Sequence, residues 1–270
     1  EFVPGLSNEK KAFIDSLRRP LGSPPLKELI KRKDSIAIVF SDITRPVPNR
    51  RIIPWLLEEL ESLGKERVVL INATGMHRLN TTEELTEMLG EEVVRNYRII
   101  NHDSQNKAGM VYLGKTKTGG EVWINRDYMR ADIKILTGFI EPHFFAGFSG
   151  GPKSVLPGIS GERTVMHNHS TKMLNNPKAN WGITSGNPLW EEIREVALMT
   201  KPAFIINVTL NKEKEITRIF SGEMNLAHGS GVKFARKTAM RSVPYLFDLV
   251  ITSNSGYPLD LNLYQTVKGM

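Results

Sequence analysis

Three histidines of this 270-residue chain stand directly after runs that read as β-strands, each among polar, turn-forming neighbours. His77 lies in ATGMHR after RVVLINAT, His102 in NHDS after YRII, and His143 in EPHFFAGFSGGPK after DIKILTGFI. A further strand-like run, SIAIVF, ends in SDITRP and brings Asp42, Ile43, Thr44 and Arg45 together. Imidazole, with an unperturbed pKa of about 6.5, accepts and returns a proton near neutrality. The planar guanidinium of Arg45 matches a carboxylate in a two-point contact. GFSGGPK offers glycines for close backbone approach and, at Lys153, an amine for an anion or a covalent bond. It lacks the spacing of a P-loop and reads equally well as a glycine turn with a surface lysine.

Each strand-end histidine also has a plain structural reading as a hydrogen-bonded residue. Three of them beside Arg, Asp and Gly on successive strands shift the balance toward chemistry. NHDS around His102 can be satisfied as an Asx-capped turn, so that histidine reads as structural, as does His228 in ordinary helical sequence. His167 and His169 form HNH. Helical residues two apart do not share a face, so at most one of the pair reaches a given site. Phe144, Phe145 and Phe148 either line an apolar face of the site or pack the loop that carries them.

Strand-like and helix-like runs alternate, which predicts an α/β, Rossmann-like architecture: a mostly parallel sheet, helices on both faces and a small hairpin insertion. Strands are expected at 35–40, 67–74, 97–103, 132–140, 203–210, 216–222 and 247–254, and helices at 52–64, 80–90, 190–200 and 223–241. MVYLG and EVWIN flank KTKTGG, a turn with the glycines a hairpin needs. The stretch 141–187 is rich in Gly, Pro and Asn with short helical pieces. A loop region that long inside a compact domain is functional or disordered, and its histidines and aromatics favour function. In a doubly wound sheet, ligands sit beyond the carboxyl ends of the strands, where the unusual residues fall.

Composition narrows the chemistry. The chain has no cysteine, which excludes disulfide frameworks, thiolate metal sites and racemases working through paired thiols. Thirty-six Lys and Arg against 29 Asp and Glu give a net charge of +7, favouring anionic partners. The basic residues are scattered, the longest cluster being KRK at 31–33. No basic stripe with interleaved aromatics speaks for nucleic acid, so a small anion is the expected partner. No run of 18 apolar residues and no signal-peptide pattern is present, so neither a membrane span nor secretion is expected, and the expected setting is the cytoplasm. The sequence starts at Glu1 and stops at Met270 just after LNLYQTVKG, which reads as a helix beginning. Both ends read as cut from a longer polypeptide.

DITRP, ATGMHR, EPHFFAGFSGGPK, the later His169 and YQTVK at 264–268 occur in an order and at spacings that resemble the nickel-pincer lactate racemase family of 2-hydroxyacid racemases and epimerases. The resemblance covers essentially the whole chain as a catalytic, cofactor-binding domain over 1–256. Residues 257–270 would begin a second domain that closes the cleft. It implies a pyridinium-3,5-bisthiocarboxylate mononucleotide-type pincer cofactor carrying nickel, joined to the chain at Lys153, with His169 as the protein ligand of the metal. It further implies that Asp42, Ile43, Thr44 and Arg45 contact cofactor and substrate, that Arg45 grips the substrate carboxylate, and that His77 and His143 are the acid–base pair. Gln265 and Lys268 match residues that approach substrate and cofactor from the second domain. Cofactor-maturation enzymes would be partners.

Elementary chemistry agrees with that expectation. The α-hydrogen of a hydroxy acid beside a carboxylate is a very weak acid, and general base catalysis contributes only about 10²–10⁴-fold. Removing the hydrogen as hydride avoids a carbanion but calls for a cofactor, leaving a side chain only the hydroxyl proton to take. Two alternatives remain from residues alone: a pyridoxal phosphate enzyme with Lys153 as Schiff base, and a non-catalytic binding module for phosphorylated or carboxylate metabolites on the same sheet.

Overall fold

The computed structural model describes residues 3–251. Among the described residues there are ten strands: β1 (Ile36–Ser41), β2 (Val68–Ala73), β3 (Arg98–Asn101), β4 (Met110–Lys115), β5 (Glu121–Asn125), β6 (Ile133–Phe139), β7 (Pro142–His143), β8 (Gly147–Phe148), β9 (Phe204–Leu210) and β10 (Ile216–Gly222). Six form the central sheet in the order β10-β9-β6-β1-β2-β3. Every ladder in it is parallel except that between β9 and β10.

A parallel sheet must be covered on both faces, because its crossover helices lie there. The side chains of β1 show how, since successive residues of a strand point to opposite faces. Ile36, Ile38 and Phe40 join the layer built with Phe13 and Leu17 of the helix Glu9–Arg18 and Ile52, Ile53 and Leu56 of the helix Asn49–Leu60. Ala37 and Val39 join the other layer, with Val155, Leu156 and Ile159 of the long loop region and Leu189, Ile193 and Val196 of the helix Pro188–Met199. All of these are buried, each large aliphatic side chain contributing about 1.5–3 kcal/mol on leaving water.

Local signals set the boundaries. The helix Thr82–Leu89 starts in a reciprocal capping box between Thr81 and Glu84. It stops at Gly90, whose φ of +90° suits glycine. The hairpin forms between β4 and β5, closed by Thr116 N–H donating to Gly120 O at 2.9 Å. The helix Glu9–Arg18, capped by Asn8, has no counterpart among the sequence expectations. The expected strand at 247–254 is not formed over its described part. Residues 247–251 carry no strand hydrogen bonding, and Leu249 and Ile251 are exposed. A strand needs a ladder partner for its backbone groups, and the outer edge of β10 is met instead by Leu6 and Leu21, whose N–H groups donate to Ile216 O and Ser221 O, each at 2.8 Å. Residues 252–254 and the expected domain boundary at 256/257 lie outside the described residues. Among the described residues no helix is long and apolar enough to cross a membrane.

The chain runs outward from β1 to β2 and β3, then returns to the other side of β1 as β6. That reversal leaves a crevice at the carboxyl ends of β6, β1 and β2, where open α/β sheets bind ligands.

Candidate active site

A cavity of about 410 Å³ fills this crevice. β1 contributes Asp42 and Arg45 just past its end, β2 contributes the turn 73–77 with His77, and β6 leads into His143, Phe145 and Lys153. His169 lines it as well. Asp42, Arg45, His77, His143, Phe145, Lys153 and His169, seven of the residues singled out in the sequence, are thus brought to one cavity.

His77 is held by a carboxylate. Asp42, only 2% exposed, accepts from His77 Nδ1 at 2.8 Å and from Thr44 Oγ1 at 3.0 and 3.1 Å. An ionised carboxylate only accepts, so Nδ1 carries the proton and Nε2 the lone pair. The turn that presents His77 is short: His77 N–H donates to Thr74 O at 2.9 Å, and Gly75, at φ +57°, donates its N–H to Gly158 O at 2.9 Å. Behind it, Asn72 donates to Asn80 at 2.8 Å and to Asn101 at 2.7 Å, tying the ends of β2 and β3 together.

His143 is held in the opposite sense. Its Nδ1 accepts from the backbone N–H of Ala146 at 3.2 Å and of Phe145 at 3.5 Å. The ring is buried, stacked on Phe144 and edge-on to Phe145. Asn187 fixes this turn by donating Nδ2 to Phe145 O and to Ile183 O, each at 2.8 Å. Gly147 has φ +76°, and a Cβ there would lie 2.3 Å from Ile183 O.

Lys153 belongs to the short 3-10 turn Gly151–Ser154. That turn hangs on β9 through Asn207 Oδ1, which accepts from Gly151 N–H at 2.6 Å. It also hangs on β6 through Ser154 Oγ, which donates to Thr137 O at 3.1 Å. His228 Nε2 donates to Ser149 O at 2.9 Å, and a Cβ at Gly151 would lie 2.5 Å from the His228 ring. The Lys153 ammonium sits 5.5 Å from the centre of the Phe145 ring, whose edge also meets His169, 5.1 Å between ring centres.

His169 terminates the helix Glu162–Asn168. Its Nδ1 donates to Val165 O at 3.2 Å, so Nε2 keeps its lone pair. A metal-ligating histidine characteristically donates its other N–H to a carbonyl in this way. Burial, with the Lys153 ammonium adding, pushes its pKa down to about 4, so the ring is neutral at physiological pH and fit to ligate. Among the described residues no three His, Asp or Glu side chains are grouped to hold a metal; a metal in this cavity would take His169 together with donors of its own cofactor.

The remaining sequence candidates sort as follows. His167 turns away from the cavity to Thr118 Oγ1 at 3.0 Å and the buried Glu192 at 3.4 Å, so one of the HNH pair reaches it. His102 is buried and donates Nε2 to Ser160 O at 2.9 Å. Ile43 packs in the core layer of the helix Asn49–Leu60 rather than on the cavity wall. Thr44 is not on the cavity wall but donates Oγ1 to Asp42, which is. Phe145 lines the cavity, whereas Phe148 is fully buried against Ile140 and Phe220 and Phe144 packs beside the second core layer. Gln265 and Lys268 lie outside the described residues. Sequence reasoning missed Asn187, Asn207 and His228 as supports of the lysine and histidine loop. Asn207 carried a signal, being a polar residue inside the apolar strand run AFIINVTL.

The chain is similar to known proteins over nearly its whole length. A family model described as the lactate racemase N-terminal domain matches residues 1–182, and one described as the lactate racemase C-terminal domain matches residues 244–270. Lactate racemase from Lactiplantibacillus plantarum is 45% identical over 265 residues, covering 97% of this chain and 62% of that protein. Lactate racemase from Thermoanaerobacterium thermosaccharolyticum is 41% identical over 264 residues with the same coverage, 97% and 62%. The chain therefore spans about three-fifths of the length of these curated relatives. The structure of the lactate racemase apoprotein from T. thermosaccharolyticum superimposes with a TM-score of 0.92 at 39% identity, covering 100% of this chain and 64% of that one. A Thermotoga maritima protein shares the fold at TM-score 0.70 and 23% identity, over 84% of this chain and 59% of its own. By its match to the N-terminal domain over two-thirds of its length, and with a cavity built from the motifs that first suggested it, this chain belongs to the lactate racemase family.

Proposed function

We propose that this chain supplies the catalytic cavity of a 2-hydroxyacid racemase or epimerase, with lactate as the first substrate to test. What supports this reading most is the convergence, in one cavity, of a carboxylate-held imidazole, a second imidazole, a guanidinium, an amine and a neutral histidine with its ligating nitrogen unprotonated.

Arg45 binds and orients the substrate carboxylate through its planar fork, which fixes one end of the acid while C2 inverts. His77 takes the hydroxyl proton at Nε2, and Asp42 stabilises the imidazolium that results. His143, from the opposite wall, serves the same oxygen when it lies on the other side in the other enantiomer. Phe145 and the surrounding loop keep water from the reacting carbon. Lys153 and His169 are the residues that would hold a nickel pincer nucleotide, the amine as its point of attachment and the imidazole as a ligand suited to nickel. When bound, such a group supplies the hydride acceptor that takes C2 to the ketone level and returns the hydrogen. The net positive charge of the chain suits a phosphate-bearing cofactor and an anionic acid, and loading that cofactor would involve maturation enzymes in a cytoplasmic setting.

Chiral analysis of lactate incubated with the full-length protein, matured with its cofactor, tests the reading. Interconversion of the two enantiomers, lost in His77→Ala and in His143→Ala, is the expected result. Full racemisation by either variant, or binding of lactate with no turnover by the wild type, would overturn it.

A further inference from the structure

The two acid–base histidines face the same cavity but are not set up alike. Asp42 can only accept, so His77 holds its proton on Nδ1 and offers Nε2 as a lone pair. Backbone amides can only donate, so His143 holds a lone pair on Nδ1, where Ala146 and Phe145 point their N–H groups, and its proton is on Nε2. Both arrangements are held in place by further contacts. Asp42 is buried and also accepts from Thr44. The Phe145–Ala146 turn is pinned by Asn187 and by the positive φ of Gly147.

We infer that the two histidines rest in opposite tautomers and are therefore not interchangeable: His77 is the proton acceptor of the resting site, and His143 is its hydrogen-bond donor. This rests on the reading of both as acid–base groups for a 2-hydroxy acid. In the resting site the substrate O–H bond breaks toward His77, an Nε2–H bond forms, and the imidazolium charge is offset by Asp42. His143, in the same resting site, has only an Nε2–H to offer, which can donate a hydrogen bond without losing its proton. Giving that proton up from a neutral ring would leave an imidazolate. For the other enantiomer, whose oxygen lies toward His143, a proton must first reach His143 Nδ1 and the two amides must turn away; the imidazolium then gives its Nε2 proton to that oxygen and is left with Nδ1–H, and in the reverse direction Nε2 takes the hydroxyl proton back. Asp42 is thus a positioning residue, acting through His77, and the Phe145–Ala146 turn plays the same part for His143 with the opposite sign. The equal stability of two enantiomers forces kcat/KM to be the same in both directions, so this asymmetry is hidden from that ratio and must be read at the rings themselves.

Long-range proton–nitrogen NMR of the full-length protein labelled at histidine nitrogen, recorded without substrate where the rings are neutral, reads it. Signals are assigned by their loss in His77→Gln and His143→Gln. The expected spectrum shows His77 with a protonated Nδ1 and His143 with a protonated Nε2. Asp42→Asn should change the His77 pattern and leave that of His143 in place. The same tautomer at both rings, or His143 protonated at Nδ1, would overturn the inference, and the wild-type spectrum decides even where a variant fails to fold. The measurement needs neither cofactor nor turnover. Failure here leaves the racemase reading standing, and a protein that inverts no hydroxy acid can still show the two tautomers.

Discussion

The cavity has two walls of different construction. One is the pair of strand ends at β1 and β2, where Asp42, Thr44 and His77 are placed by turns of a few residues and bond directly to one another. The other is the excursion 140–187, where the turns that carry His143 and Lys153 are held by residues far away in sequence, Asn187, Asn207 and His228, and His169 ends a short helix of the excursion itself. Both deliver side chains to the same 410 Å³. The first wall is rigid because it is short and grows from the sheet. The second is rigid only because a few buried polar groups hold it, and each such group is costly to leave unpaired.

That difference predicts which substitutions disable chemistry and which loosen structure. The largest effect is expected for Lys153→Ala, which should abolish the cofactor mass increment of the matured full-length protein and reduce racemisation to the detection limit; intact mass spectrometry beside a chiral assay checks both. On the strand-end wall, Asp42→Asn should lower kcat by about 10²–10⁴-fold, the scale of losing a correctly held imidazole base, with the far-ultraviolet circular dichroism unchanged. On the loop wall, Asn187→Ala removes the cap of the helix Pro188–Met199 and two donors to loop carbonyls. It should cost about 1–3 kcal/mol, seen as a drop in Tm of several degrees, with activity following stability. A strand-end variant that melts early, or a loop variant that loses activity at full stability, would break the contrast.

The smallest effect is in the pH dependence, and it also separates the walls. Burial pushes His228 down to about 4 and lowers His102, both of which donate to carbonyls of the long loop region, Ser149 O and Ser160 O. His169 is likewise lowered to about 4, by burial and by Lys153. A histidine with a depressed folded pKa binds fewer protons folded than unfolded, so the unfolded chain gains on acidification. Stability is therefore full above the unfolded value of about 6.5 and is lost progressively as pH falls toward about 4. Amide exchange at pH 5 should rise across residues 143–169 before it rises across 68–77, and His228→Leu should make Tm less steep in pH over that window.

The same contrast explains what was legible in the sequence. Strand runs such as SIAIVF and AFIINVTL announce buried parallel strands by composition, and the residues just past a strand end must lie at the crevice, so Asp42, Arg45 and His77 could be placed by position alone. The hairpin and the stop at Gly90 followed from turn chemistry. His143, Lys153 and His169 were legible as unusual residues, but nothing local says that they meet, because the contacts that bring them together run to Asn207 and His228, 54 residues or more from Lys153 in sequence. The hydrogen-bonding sense of each ring was invisible for the same reason: it depends on whether a carboxylate or an amide faces Nδ1. The apolar run at 247–251 misled because hydrophobicity marks a strand only where a partner ladder exists.

The central claim is that the cavity inverts a 2-hydroxy acid while side chains move only the hydroxyl proton. Racemisation of lactate by the full-length matured protein in D₂O, followed at C2 by proton NMR, tests it most directly. Inversion with the original hydrogen retained at C2 is the predicted result; deuterium at C2 in the inverted product would mean that a base removes the α-hydrogen as a proton, and would contradict the account.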